Sequence, residues 1–459
     1  MSRRSFLQSA ALTGAAITGA ALSLPCLLKP PAADARIRPA LNPYDAEAAR
    51  LDAALMSHFW SPTASIFKAP VQSADTVNSD ATYNNGYLFW PSLVAWHALV
   101  EGERSHPGVY AAQIWEVYSR GLQQYWNQSM GAYNAWLFFP GNNDAYYDDN
   151  AWAVVTLVEA HSATVASDPT HAAAYLSRAV TLMQGFVYAG WDDTGHPGGV
   201  RWGTDPTKAN TSDKATSSTA AAALAALMLA RAGVNAKFNT AWGASALQWI
   251  MTNLRGPNGL IQDGLVPPTA AQPGWTPRPV YWTYNTGVPI RAFVEHYRLT
   301  RSAGSLGRAT GLARAAIDHG NRPLFDGSVQ NPSVNHWYDY GYFAQYLIDG
   351  LLQLALVTPD PSLAASLRSE AAGHARFLLS YVKDGDGLYW RNLRLYRIGP
   401  TQLQAWESLT GQTQVLDADL NERALDPASA KMPVAQRPLV KTLLANAAAA
   451  RLFWLMSRA

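Results

Sequence analysis

Along most of the chain apolar residues recur every three or four positions and strict alternation is scarce, so the pattern predicts helices rather than strands. Such stretches lie at about 44–60, 88–103, 108–126, 148–166, 170–188, 215–232, 238–254, 284–301, 304–319, 341–357, 361–382 and 436–457. Several open on a proline or a capping residue: Pro91, Asp168 with Pro169, Asp360 with Pro361, and Pro438. These residues satisfy, or do without, the free N–H groups of a first helical turn. The segments 61–87, 127–147, 189–214, 255–282, 320–340 and 383–435 hold most of the Gly, Pro and Asn and read as long loops. Loops of that length in a compact domain are usually functional.

The predicted helices alternate in character. The second, fourth, eighth and tenth open on "YNNGYLFW" (83–90), "YYDDNAW" (146–152), "WTYNTG" (282–287) and "WYDYGYF" (337–343), and the sixth follows "GGVRWGTDPTKANTSDKATSS" (198–218). The helices between them read as amphipathic cover. The expected fold is therefore all-α: six inner helices ringed by six outer ones, an (α/α)6 barrel whose inner helices present their N-termini to a common cleft. An irregular bundle or a solenoid would share the periodicity but not the alternation. No Pro/Ser/Gly-rich linker divides residues 36–459, which are expected to form one domain.

Composition narrows the function. The 35 basic and 33 acidic residues leave a net charge of +2, which gives no electrostatic ground for binding nucleic acid or an anionic membrane. The 17 Trp and 21 Tyr suit stacking on sugar faces as well as an aromatic core. Ser2-Arg3-Arg4-Ser5-Phe6-Leu7 is a twin-arginine export pattern. A weakly apolar run and the small-residue site Ala33-Asp34-Ala35 follow, so residues 1–35 read as a signal peptide cleaved near Ala35 and the mature chain as periplasmic or secreted. The single cysteine, Cys26, lies inside that signal, which excludes a thiol nucleophile, thiolate metal site or disulfide from the mature protein. No spaced His/Asp/Glu set reads as a metal site, and no Gly-rich loop as a phosphate cradle or dinucleotide fingerprint. No cofactor is expected.

The most distinctive chemistry is Asp148-Asp149, a like-charge pair flanked by aromatics at the start of an inner helix. An N-cap would account for one aspartate, not two. Close carboxyls split their titrations, so one can hold a proton while the helix N-terminus keeps the other ionised. One carboxylate and one carboxylic acid is the equipment for cleaving a glycosidic bond.

At these residues the sequence resembles glycoside hydrolase family 76, the endo-α-1,6-mannanase family. The Asp-Asp pair, "GGVRW" (198–202) with Lys214 after it, "WTYNTG" (282–287) and "DYGYFAQYL" (339–347) are similar to that family's blocks and stand in its order. Thr286 replaces a usual Gln, and Tyr340 and Gln345 stand where Lys and Arg are common. The resemblance implies an (α/α)6 retaining hydrolase of α-linked mannose glycans with Asp148 as nucleophile and Asp149 as general acid/base. Tyr147, Trp202, Lys214, Asp263, Trp282, Tyr284, Asn285, His336, Trp337, Asp339 and Gln345 become candidate substrate contacts. On the residues alone, Trp202, Trp282 and Tyr284 serve equally well in a core, Asn285 as a cap, and Asp263 in "IQDG" as a turn residue. Asn84 and Asn85 read as a turn. A transglycosylase would use the same two carboxyls, a non-catalytic glycan-binding barrel would not need them, and a sugar epimerase would lean on clustered histidines. The expected partner is an α-mannan or related oligosaccharide, and the expected state a monomer.

Overall fold

The computed structural model describes residues 42–68 and 87–459. The expected signal peptide with its cleavage site, Cys26, and the turn at Asn84 and Asn85 lie outside the described residues. Six helices are buried almost all round: α2 (Phe89–Ser105), α4 (Tyr147–Thr164), α6 (Thr216–Arg231), α8 (Thr283–Thr300), α10 (Gly341–Ala355) and α13 (Leu443–Ser457). Their sequences explain this, since a helix apolar on every face must be enclosed on every face. In α6 the run from Ser218 to Ala230 is wholly buried. Each packs on the next, α2–α4–α6–α8–α10–α13, and α13 packs back on α2 to close the ring.

One-sided helices cover the outside: α1 (Pro43–Ala54), α3 (Ala111–Glu116), α5 (Pro169–Gly185), α7 (Ala236–Asn253), α9 (Ala303–Ala316) and α11 (Pro361–Phe377). In α5 only Ala172, Tyr175, Ala179, Leu182 and Met183 are buried, a single stripe along one face. Together they form the expected (α/α)6 toroid. The ring is sealed by α1 against α13: Trp454 Nε1 donates to Asp52 Oδ2 at 2.7 Å, and Tyr44 stacks on Phe453.

Two expectations needed correction. The segment 383–435, read as loop, contains a further helix, α12 (Pro400–Thr410). The last inner helix starts at Leu443 rather than near 436, with Thr442 as its N-cap, because Pro438 lies in an extended approach instead of a first turn.

Each outer helix hands over to the next inner one through a short antiparallel turn. The bridges are Trp60↔Phe67, Trp126↔Tyr133, Trp191↔Val200, Arg255↔Ile261, Phe325↔Trp337 and Lys383↔Tyr389. The fourth residue of four inner helices fastens itself to the second bridge residue. Asn150 Oδ1 accepts from Tyr133 N at 2.8 Å, Thr219 Oγ1 from Val200 N at 2.9 Å, Thr286 Oγ1 from Ile261 N at 3.1 Å and Asn446 Oδ1 from Tyr389 N at 2.8 Å. The barrel thus repeats a clamp that fixes inner-helix N-termini against the rim.

Below the rim the barrel is plugged by charge. His97 and Glu101 of α2, Glu159 of α4, Arg291 of α8, Asp349 of α10 and Arg451 of α13 are all buried. Arg291 bonds Glu159 and lies 2.5 Å from Asp349, and Arg451 lies 2.6 Å from Asp349. His97, Glu101 and Glu159 bring ligand-type atoms within 4.8 Å of one another. The arginines supply the positive charge there: Arg104 lies 3.3 Å and Arg458 2.5 Å from Glu101.

Candidate active site

At the N-terminal end of the inner helices a cleft of about 550 Å³ opens. Its construction follows a positional rule. The second residue of five inner helices lines it: Trp90 of α2, Asp148 of α4, Ser217 of α6, Tyr284 of α8 and Leu444 of α13. Asp149, the third residue of α4, lines it as well, and α10 contributes Phe343 and Tyr346.

Asp148 and Asp149 occupy different environments although adjacent. Asp148 Oδ1 accepts from the backbone N–H of Asp149 at 2.9 Å, and its Oδ2 accepts from Trp202 Nε1 at 2.9 Å. Among the described residues no donor or cation bonds the Asp149 carboxyl, which meets instead the negative charges of Asp148 and Asp144. The two carboxyls open on the cleft and are otherwise enclosed by protein. That burial pushes Asp148 up to about 6, against the pull of its hydrogen bonds from Ser217, the Asp149 N–H and Trp202. Burial, then the charges of Asp148 and Asp144, raise Asp149 well above the usual carboxyl range. One carboxyl is furnished to be an anion and its neighbour to keep a proton.

Of the other sequence candidates, Trp202, Asp263 and Tyr284 reach the cleft. Trp202 does so as the donor to Asp148 and with its ring against Tyr146 at 4.9 Å. Asp263 Oδ1 accepts from Tyr284 Oη at 2.7 Å, which fixes the Tyr284 ring in the wall.

The remaining candidates lie outside it, each for a local reason. Lys214 and Ala215 alternate in a short strand, so Ala215 faces the cleft while the fully buried Lys214 Nζ turns away to the carbonyls of Asp192 and His196. Tyr147 is buried on Phe186, and its neighbour Tyr146 lines the cleft instead. Trp282 precedes α8 and stacks on Tyr338, one layer behind the wall. Asn285 is fully buried, with Nδ2 directed to Asp263 at 3.3 Å. Asp339 Oδ2 caps α8 from another loop, accepting from Thr283 N at 2.8 Å and Thr283 Oγ1 at 2.6 Å. Burial pushes it up to about 7. Trp337 stacks on His374 at 3.5 Å and His336 on Phe377 at 3.8 Å, both against α11. Gln345 is buried inside α10 and faces Arg451.

Sequence reasoning missed Trp90, Tyr146, Trp152, Asn210, Asp213, Ser217, Arg278, Phe343, Tyr346 and Leu444 in the lining. Arg278 Nη2 lies 2.5 Å from Asp213 Oδ2 and donates to Asn210 Oδ1 at 3.1 Å, a polar edge of the cleft. The second-position rule would have found five of the lining residues had the inner-helix starts been known to the residue.

A six-hairpin barrel with two enclosed carboxyls at its mouth places the chain in the class of (α/α)6 toroid proteins. The profile of glycosyl hydrolase family 76 matches residues 44–421, and the chain belongs to that family. It is a glycoside hydrolase. The meiotically up-regulated gene 191 protein of Schizosaccharomyces pombe is 31% identical over 382 residues, 80% of this chain and 82% of that one. The structure of an α-1,6-mannanase from a Salegentibacter species superposes with a TM-score of 0.65 at 17% identity, covering 90% of this chain and 99% of that one. An inactive variant of the same enzyme, with two consecutive aspartates changed to asparagine and α-1,6-mannotriose bound, superposes equally well at 0.65 and 16% identity, with the same coverage.

Proposed function

We propose that the chain is a retaining, endo-acting hydrolase of α-1,6-linked mannan, with Asp148 as nucleophile and Asp149 as general acid/base. The observation that carries this reading is the split environment of the pair. Asp148 is held by two N–H donors that favour its anion. Asp149 is enclosed, and among the described residues the charges acting on it are those of Asp148 and Asp144, both of which favour its acid. A retaining reaction needs both within about 5–5.5 Å across one bond, a separation that consecutive residues reach more readily than the wider inverting one. Asp149 protonates the departing glycosidic oxygen while the Asp148 carboxylate attacks the anomeric carbon. Asp149 then takes a proton from the water that releases the sugar. The mannan preference is supported by the likeness to an α-1,6-mannanase whose inactive form lacks two consecutive aspartates.

The test is incubation of the purified protein with α-mannans and α-glucans, with product anomers read by NMR. Cleavage of α-1,6-mannan with retained configuration is expected, as is a loss of several orders of magnitude in kcat/KM for Asp148→Asn and for Asp149→Asn. Inverted products would remove the nucleophile role, and preference for a glucan the substrate. Export through the twin-arginine route is part of the same proposal and is supported by Arg3-Arg4 and the Ala33-Asp34-Ala35 site. N-terminal sequencing of protein recovered outside the cytoplasm should begin after Ala35, and an intact Met1 there would refute cleavage.

A further inference from the structure

A second hollow, of about 690 Å³, opens beside the catalytic cleft. Trp136, Phe139, Asn143, Asp144, Asp205 and Lys208 are among the residues that line it. The two spaces share a wall. Ala135 faces the cleft, Trp136 faces the groove, and Trp136 is bridged to cleft-lining Leu88. Asp144 stands at the junction, close enough to Asp149 for its charge to be felt there, and Lys208 Nζ lies 2.6 Å from Asp144 Oδ1.

The loop that forms the groove is built rigidly from below. The buried side chains of Asn127 and Asn134 donate to the Asn142 carbonyl at 3.1 and 2.8 Å. Asn142 Nδ2 donates to the Leu137 carbonyl at 3.0 Å, and Asn142 Oδ1 accepts from Asp144 N at 3.1 Å. On this fixed base Phe138 and Phe139 are left 41% and 48% exposed, two adjacent phenylalanines held out to solvent with their backbone pinned. Clustered exposed apolar rings mark binding surfaces, and a surface held in its bound shape loses less entropy on binding. Aromatic faces rimmed by carboxylate, amide and ammonium groups suit a pyranoside, whose C–H face lies on a ring while its hydroxyls bond at the edge.

We propose that this groove binds the sugar units on the leaving-group side of the scissile bond, so that the enzyme grips a stretch of chain beyond the cleavage point. This rests on the mannan-cleaving reading above. The side follows from the order of the carboxyls. Asp149, the proton donor, is the one flanked by Asp144, so the sugar whose oxygen it protonates departs toward the groove. Asp148 is bonded instead by Trp202 and Ser217.

The experiment measures kcat/KM on α-1,6-manno-oligosaccharides of increasing length, labelled at the reducing end, for the wild type, Phe139→Ala and Trp136→Phe. The ratio of kcat/KM on the longest to that on the shortest cleaved substrate should fall about tenfold in Phe139→Ala, equivalent to about 1.4 kcal/mol. It should fall in the same direction in Trp136→Phe, which keeps a ring in place. The labelled fragment released should also become shorter, because long leaving groups lose their hold. An unchanged ratio in both variants, or a change confined to the unlabelled side of the cut, overturns the groove assignment while leaving the mannanase reading intact. A wild-type protein that cleaves none of these substrates overturns both.

Discussion

At the scale of single residues, the carboxyl of Asp149 is the costly group. Its raised pKa means that the folded protein binds this proton more tightly than the unfolded chain does. Stability from that source is present at low pH and is lost as pH rises from about 4, the ordinary aspartate value, through the folded value. Asp149→Asn removes the titration and the repulsion on Asp148 together. The variant is expected to melt about 1 °C above the wild type at pH 7, equivalent to about 1 kcal/mol in a fold of this length, with the gain vanishing near pH 4. Calorimetric melts at the two pH values check this, and an equal gain at both would point to packing instead. The aspartate pair was readable from sequence because two adjacent acids among aromatics have few structural uses. Lys214, His336, Trp337 and Gln345 looked equally chemical, yet they hold loops, stack on α11 or face the central arginine. A sequence shows which residues can bind a sugar but not which way a two-residue strand points them.

At the scale of elements, the rim clamp decides where the aspartate pair sits. Asn150 follows Asp149 directly. Its amide accepts from Tyr133 N at 2.8 Å and donates to the carbonyls of Tyr133 at 2.9 Å and Tyr146 at 2.8 Å. Asn150→Ala leaves buried backbone groups of the hairpin unpaired, which costs about 1–3 kcal/mol. It also frees the first turn of α4, so kcat should fall by about tenfold or more although Asn150 is not among the residues lining the cleft. Urea unfolding and steady-state kinetics on one preparation test the two together; full activity with lowered stability would reduce Asn150 to a purely structural role. The helices themselves were legible because their apolar period is long and regular. The clamp was not, because one polar residue at the fourth position of a helix has no periodic signature. Nor was α12, whose eleven residues bury only Gln402 and Trp406 and so show no apolar stripe.

At the scale of the whole molecule, the charged plug joins helices that are far apart in sequence. Arg451 of α13 reaches Asp349 of α10 at 2.6 Å and Glu101 of α2 at 3.7 Å, so one side chain ties three inner helices. Arg451→Met keeps the bulk and removes the charge, leaving two buried carboxylates short of a partner. Breaking buried pairs from one side costs about 3–5 kcal/mol. The remaining contacts of Asp349 with Arg291 and of Glu101 with Arg104 and Arg458 place the expected loss near the lower figure. The urea midpoint should drop with its slope unchanged, and an undisturbed midpoint would show that the plug contributes specificity rather than stability.

The seam between α1 and α13 has a consequence in time. A ribosome makes the first helix of the ring more than three hundred residues before the one that completes it, and the Asp52–Trp454 bond spans a separation of 402. Until α13 emerges, α2 and α10 each lack a neighbour and their apolar flanks stay open. The growing chain therefore cannot bank a finished barrel early. It carries an unclosed arc until α13 is made, and its greatest exposure to aggregation falls just before that helix arrives.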